Sequence, residues 1–193
     1  MVQDSPAPPN FDLRGYPPLL GHVFEGRLYR PLLTAPDVAA HRKQWRELFI
    51  LLAKRGPADR AMSDHFHTKW HESHHLLREL IDDDDLFVDV AKAWLPPYHG
   101  PTLTLYRGEN IDRLSVGKIG SGWSDQEETA AMFARGLNAV GSGGALLRTH
   151  APAAAIVAGP SDHSANWLRE REFTVDPRML GQIEQIRLFA PAS

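Results

Sequence analysis

Arg169-Glu170-Arg171-Glu172-Phe173-Thr174-Val175-Asp176-Pro177 is the stretch that decides how the second half of this chain folds. Two carboxylates stand two residues apart, the β-formers Phe173, Thr174 and Val175 follow at once, and Asp176-Pro177 stops the run. Residues i and i+2 of a strand point to one face, so a strand here is expected to project Glu170 and Glu172 together from its end. Two carboxylates at one site take different protonation states, and with them different chemical roles. The same residues also suit an ordinary solvated edge strand in which Glu alternates with Arg. The rest of the chain has to decide between the two.

The composition sets outer bounds. A chain of 193 residues, 42% hydrophobic and 23% charged, suits one globular domain with a real core. A net charge of −3 gives no sign of the basic surface that nucleic acid selects, so nucleic acid is not expected as a partner. There is no cysteine, which excludes disulfides, thiolate metal sites and a Cys nucleophile. No apolar run approaches the ~20 residues of a membrane-spanning helix, so no membrane partner is expected. The first ten residues, Met1 to Asn10, lack the basic and then apolar pattern of a Sec signal peptide. The expectation is action in the cytoplasm, or in the cytoplasm of a cell into which the protein is delivered.

Outward from the quoted stretch, the chain divides near residue 98. Residues 1–98 are expected to be mainly helical and 99–193 β-rich, together one compact catalytic unit. In the first part, Val23 to Tyr29 suits a short hairpin. Pro36-Asp37 suits a helix start, and Trp45, Leu48, Phe49, Leu51 and Leu52 recur at helical spacing until Gly56-Pro57. A second helix is expected from Pro57 to Ile81. Asp82 to Asp85 then reads as the acidic cap of a third helix, or more sharply as an acidic metal site. In the second part, Thr102 to Tyr106, Ala145 to Thr149, Ala153 to Ala158, Glu172 to Val175 and Gln182 to Phe189 read as short strands, with a short helix over Asp125 to Arg135. Strands that follow an all-helical half argue for an α+β fold over an alternating parallel sheet.

The second helix carries His71-Glu72-Ser73-His74-His75, a match to the His-Glu-x-x-His zinc signature. His71 and His75, one turn apart, would hold the metal and Glu72 would act as general base. The context argues against it. Lys69 puts a charge where such helices carry an uncharged residue, no further Gly-x-x-His follows, and the segment before it reads as helix instead of sheet. A zinc metallopeptidase is therefore an alternative to be weighed, not the main expectation.

Two more motifs precede the paired carboxylates. Tyr106-Arg107-Gly108 puts an arginine at a strand end, where its rigid fork suits phosphate oxygens and the glycine lets a ligand or a second backbone approach. Gly122-Trp123-Ser124 ends a strand just before a helix, and the Ser124 hydroxyl suits either a helix cap or a hydrogen bond to a catalytic carboxylate. In this order, Arg107, Trp123-Ser124 with Phe133-Ala134 behind it, and Glu170-Arg171-Glu172, residues 100–190 resemble the arginine–serine–glutamate class of mono-ADP-ribosyltransferases, which includes bacterial toxins, effectors and phage enzymes. One position departs: the family's second motif is usually Ser-aromatic-Ser/Thr, and Gly122 stands at the first place.

The resemblance implies a split β-sandwich and transfer of ADP-ribose from NAD⁺, used as substrate with no metal required, to a protein acceptor. It implies Glu172 as the carboxylate beside the ribosyl cation, Arg107 as the grip on the phosphates and Ser124 as the support of Glu172. Tyr106, Gly108, Trp123 and Phe133 would line the NAD⁺ pocket. Glu170, two positions before the catalytic Glu, goes in this family with arginine acceptors, and Trp167 is the aromatic of the acceptor-facing loop, alternatively packed on the sheet. NAD⁺ glycohydrolysis is the expected side activity. Gly122 leaves a further alternative, a degenerate transferase fold that binds without turnover.

Overall fold

The computed structural model describes residues 33–34 and 36–192. The hairpin expected at Val23 to Tyr29 lies outside the described residues. A 3-10 turn, Val38–His41, leads into helix α1 (Arg42–Lys54). Helix α2 (Arg60–Ile81) starts three residues after Pro57, because the Asp59 carboxylate accepts the amide of Met62 at 2.8 Å and so fixes the N-cap there. Helix α3 (Asp84–Trp94) is capped in the same way by Asp83, which accepts from Leu86 N at 3.0 Å.

The four consecutive aspartates have separate tasks. Asp82 closes α2 in the left-handed conformation that Asp tolerates better than most residues, and its carboxylate takes Lys118. Asp83 caps α3, Asp84 takes Arg78, and Asp85 takes Arg178. A cap with three tethers is what the run supplies. Among the described residues no group of three His, Asp or Glu side chains is gathered as a metal site requires.

Why the first half is helical is visible in its core. Trp45, Leu48, Phe49 and Leu52 form the buried stripe of α1, and Phe66, Trp70, Leu77 and Ile81 that of α2. The rings of Trp70 and Phe87 lie 4.3 Å apart and those of Phe66 and Trp94 5.0 Å apart, while the Trp94 indole donates to Leu52 O at 2.9 Å. Each such ring, fully buried, contributes ~1.5–3 kcal/mol of transfer free energy. The helices thus carry their own core.

The second half is a six-stranded antiparallel sheet of order β4-β5-β2-β1-β3-β6. Its strands are β1 (Leu103–Asn110), β2 (Gly122–Ser124), β3 (Gly144–Ala151), β4 (Ile156–Ala158), β5 (Glu172–Val175) and β6 (Ile183–Phe189). A short helix α4 (Ile111–Ser115) follows β1, and α5 (Glu127–Arg135) follows β2. The fold is α+β. The six strands fall into two groups of three. β1 pairs with β3 along its whole length, Leu103↔Ala151 through Asn110↔Gly144, but meets β2 at the single pair Tyr106↔Ser124. One apolar cluster joins the two groups, with Leu105 and Leu147 from one and Trp123, Ile156, Phe173 and Val175 from the other.

Away from the cleft, an apolar contact and an ion-pair cluster fasten the helical half to the sheet. Val157 and Ala158 of β4 belong to the helical core. Asp176, nearly fully buried, takes Lys92 of α3 and Arg178, and Arg178 reaches on to Asp85 and Asp89 of α3. α2 thereby lies across the end of the sheet where β1 and β2 separate.

Candidate active site

A cleft of about 880 Å³ opens there, within the ~300–1,000 Å³ range of small-molecule sites. One wall is α2, with Lys69, Glu72, His74 and Arg78. The floor is the ends of β1, β2 and β5, and the other wall is α5 with the loop that follows it. Glu172, Glu170, Arg107, Ser124, Tyr106, Gly108, Trp123 and Phe133 all line it. Eight residues picked from separate parts of the sequence therefore come together. Trp167 does not line the cleft. It stands 82% exposed on the π-helical turn His163–Leu168, so the alternative that it packs on the sheet is set aside.

Glu172 opens β5, across from Ser124 in the register. The Ser124 hydroxyl does not support its carboxylate. Ser124 Oγ donates to Glu170 O at 2.8 Å and accepts Gln126 N at 3.1 Å, so it fixes the turn that leads into α5 and holds the backbone before β5. The carboxylate is held instead from α2: His74 Nε2 donates to Glu172 Oε2 at 3.1 Å. Glu172 Oε1 is enclosed and has no hydrogen-bond partner among the described residues. Burial alone would push the Glu172 pKa up. The His74 charge and hydrogen bond, with His71 and Arg107 behind them, outweigh it and hold the pKa at about 2.

Glu170 lines the same cleft for a different reason from the expected one. β5 begins only at Glu172, and Arg169 and Arg171 both take left-handed φ, 57° and 45°. The i, i+2 rule of a strand therefore does not apply to Glu170; a bend, pinned by Glu170 N and Arg171 N on Ser164 O and by Arg171 on Asp125, turns it inward. Burial and the charge of Glu172 push the Glu170 pKa up, against a smaller pull from His74. The two carboxylates are driven apart: one is a fixed anion, the other a stronger base.

Arg107 is built into the sheet. Its Nε donates to Glu109 Oε2 at 2.8 Å and its Nη1 to Gly122 O at 2.5 Å, which spans the gap where β1 and β2 have separated. Glu109 is 1% exposed and also accepts Gly120 N and Asn110 N. Burial acts to raise the Glu109 pKa; Arg107 above all, then Arg78 and the Gly120 amide, hold it below its usual value.

Two glycines explain themselves sterically. A Cβ on Gly108 would overlap Ala134 N and Ala130 O, so its absence lets α5 lie on β1; the second backbone, not a ligand, needs that space. A Cβ on Gly122 would stand 2.8 Å from Glu172 Oε1 and 3.3 Å from His74 Cε1. The departure from the Ser-aromatic-Ser pattern thus makes room for the carboxylate and the imidazole that holds it.

The His-Glu-x-x-His stretch also finds its place. His71 Nε2 donates to Glu172 O at 3.3 Å and its Nδ1 accepts from Ser161 Oγ at 3.0 Å, a pattern that needs the neutral ring, and burial lowers its pKa accordingly. His67, His71, His74 and Arg78 recur at steps of four, three and four, and form a polar stripe on α2 turned to the sheet. Sequence reasoning singled out His71 but missed His74 and Arg78. Their helical spacing was the available signal. Glu109 and Arg113, which also line the cleft, carried none.

A scan against protein-family models, a search of curated proteins and a search of solved structures each return no match for this chain.

Proposed function

We propose that the protein transfers ADP-ribose from NAD⁺ to an arginine of an acceptor protein, with NAD⁺ glycohydrolysis when water takes the acceptor's place. The observation that carries this is the state of Glu172: a buried anion, one oxygen fixed by His74 and the other without a partner, in a cleft of dinucleotide size beside a guanidinium cluster.

Cleavage of the nicotinamide–ribose bond leaves its electron pair on nicotinamide and positive charge on the sugar. A preorganised anion stabilises that charge most in the transition state. Glu172 serves this role, and its orphan Oε1 is an acceptor for a ribose hydroxyl. An arginine nitrogen then attacks the sugar carbon and loses a proton. Glu170, whose pKa is raised, is the better base of the two carboxylates and holds the incoming guanidinium. The products are ADP-ribosyl-arginine, nicotinamide and one proton.

The finer fold assignment belongs with this proposal. The two three-stranded groups, joined by one residue pair and one apolar cluster, support a split β-sandwich of the ADP-ribosyltransferase type. The site of action follows from the acceptor: the cytoplasm of its own cell, or of a cell that receives it as an effector. Among the described residues no helix is long and apolar enough to cross a membrane.

Incubation with labelled NAD⁺ and a bacterial lysate tests the proposal. Wild type labels protein and releases nicotinamide. Glu172→Gln loses both activities by at least ~100-fold, the usual effect of removing one transition-state group. Glu170→Gln keeps hydrolysis and loses transfer. Labelling by Glu172→Gln at the wild-type rate would end this mechanism. Binding of NAD⁺ with neither product would favour the degenerate, binding-only fold.

A further inference from the structure

We infer that Arg113 is the diphosphate-binding residue of the cleft, the task that sequence resemblance assigns to Arg107. This rests on reading the cleft as a dinucleotide site. Four cations line it. Lys69 is paired with Glu72 at 3.4 Å, Arg78 with Asp84 at 2.7 Å, and Arg107 with Glu109 at 2.8 Å. Arg113 has no carboxylate within 4.0 Å among the described residues, and its Nε is enclosed without an acceptor. Asp82 and Asp84 feel its charge, but their carboxylates are already bonded to Lys118 and Arg78. A buried donor left unpaired is costly, so an acceptor is expected from a ligand.

The backbone under Arg113 is fixed in advance. Its amide donates to Asn110 Oδ1 at 3.1 Å, and its carbonyl accepts Val116 N at 3.2 Å and Lys118 N at 3.0 Å. Little ordering remains to be done when an anion arrives. Arg107 commits two donors to the sheet, while among the described residues no hydrogen bond or ion pair holds the Arg113 guanidinium, whose planar fork suits phosphate oxygens.

Calorimetric titration of the full chain with NAD⁺, ADP-ribose and inorganic diphosphate tests this, with thermal unfolding as the control for folding. Arg113→Gln is expected to weaken ADP-ribose and diphosphate binding roughly tenfold or more and to flatten its salt dependence. Arg113→Lys, which keeps the charge but not the fork, falls between. Unchanged affinity and salt dependence in Arg113→Gln overturns the assignment, even where wild type still cleaves NAD⁺. A wild-type chain that binds none of the three overturns it too. Diphosphate binding through Arg113 without NAD⁺ cleavage upholds the assignment and removes the transferase reading.

Discussion

The two halves of the molecule differ in what holds them. The helical half is an apolar core of interlocked rings, and among the described residues its buried polar side chains all belong to α2. The sheet half, where its two strand groups meet, is held by charge and hydrogen bonds as much as by packing: Glu109 with Arg107 and Arg78, and Arg107 on Gly122 O. The cleft lies on the seam between the halves. The helix that carries the zinc-like signature forms the wall from which His74 and His71 hold Glu172. The lesson is that a polar stripe on a buried helix face marks a polar neighbour, whether or not a metal is involved.

The comparison breaks most sharply at Arg107. Arg107→Ala leaves Glu109 buried with its nearest partner gone and removes the bridge to Gly122 O, at a cost of about 3–5 kcal/mol. Thermal melts report the loss. Hydrogen exchange places it: β1 and β2 amides lose protection first, while α1 and α3 keep theirs.

Acid attacks the helical side of the seam. Burial holds the His67 pKa down at about 3, against 6.5 for a free ring, and burial lowers His71 as well. A depressed folded pKa means stability is complete above pH 6.5 and lost as the unfolded chain takes up the proton below it. His67 alone should cost about 2 kcal/mol by about pH 5. Denaturant melts across pH 7 to 4 should show this early loss, and His67→Gln should flatten it. Glu172 and Asp176, both held at about 2, add their own loss only below the ordinary carboxylate range.

His74 crosses the seam, so it tests whether the halves cooperate. His74→Ala strips Glu172 Oε2 of its donor, which should cost ~1–3 kcal/mol of stability. The diagnostic effect is elsewhere: the acid limb of NAD⁺ cleavage moves to higher pH as the Glu172 pKa rises. An unmoved limb would mean that α2 is a passive wall.

Gly122 gives the smallest change in stability, about 1 kcal/mol for an added Cβ that must displace the end of a side chain. Gly122→Ser introduces the residue usual in the ADP-ribosyltransferase motif, yet under the proposed function it should lower activity, because that Cβ stands against Glu172 Oε1. Steady-state rates of wild type, Gly122→Ala and Gly122→Ser decide the point.

Local rules carried the sequence a long way. The apolar spacing of Trp45 to Leu52, the acidic cap at Asp83, and the β-run Glu172 to Val175 each follow from propensity and periodicity, which act within a few residues. So do the places of Ser124 at the end of β2 and Glu172 at the start of β5; Arg107, expected at a strand end, stands inside β1, which runs on to Asn110 because it pairs with β3 along its whole length. Other features depend on contacts between residues far apart in the chain. Glu172 and His74 are 98 positions apart, and nothing local tells His74 from His75. Ser124 turned to the Glu170 carbonyl because the register of β2 on β5 put it there. Arg107 became a bridge because β1 and β2 part after one pair. The sequence by itself determined which elements form and which residue types gather at their ends. The tertiary structure alone decided which partner each charge takes, because in a buried seam that choice is made by distance and desolvation, and neither is written along the chain.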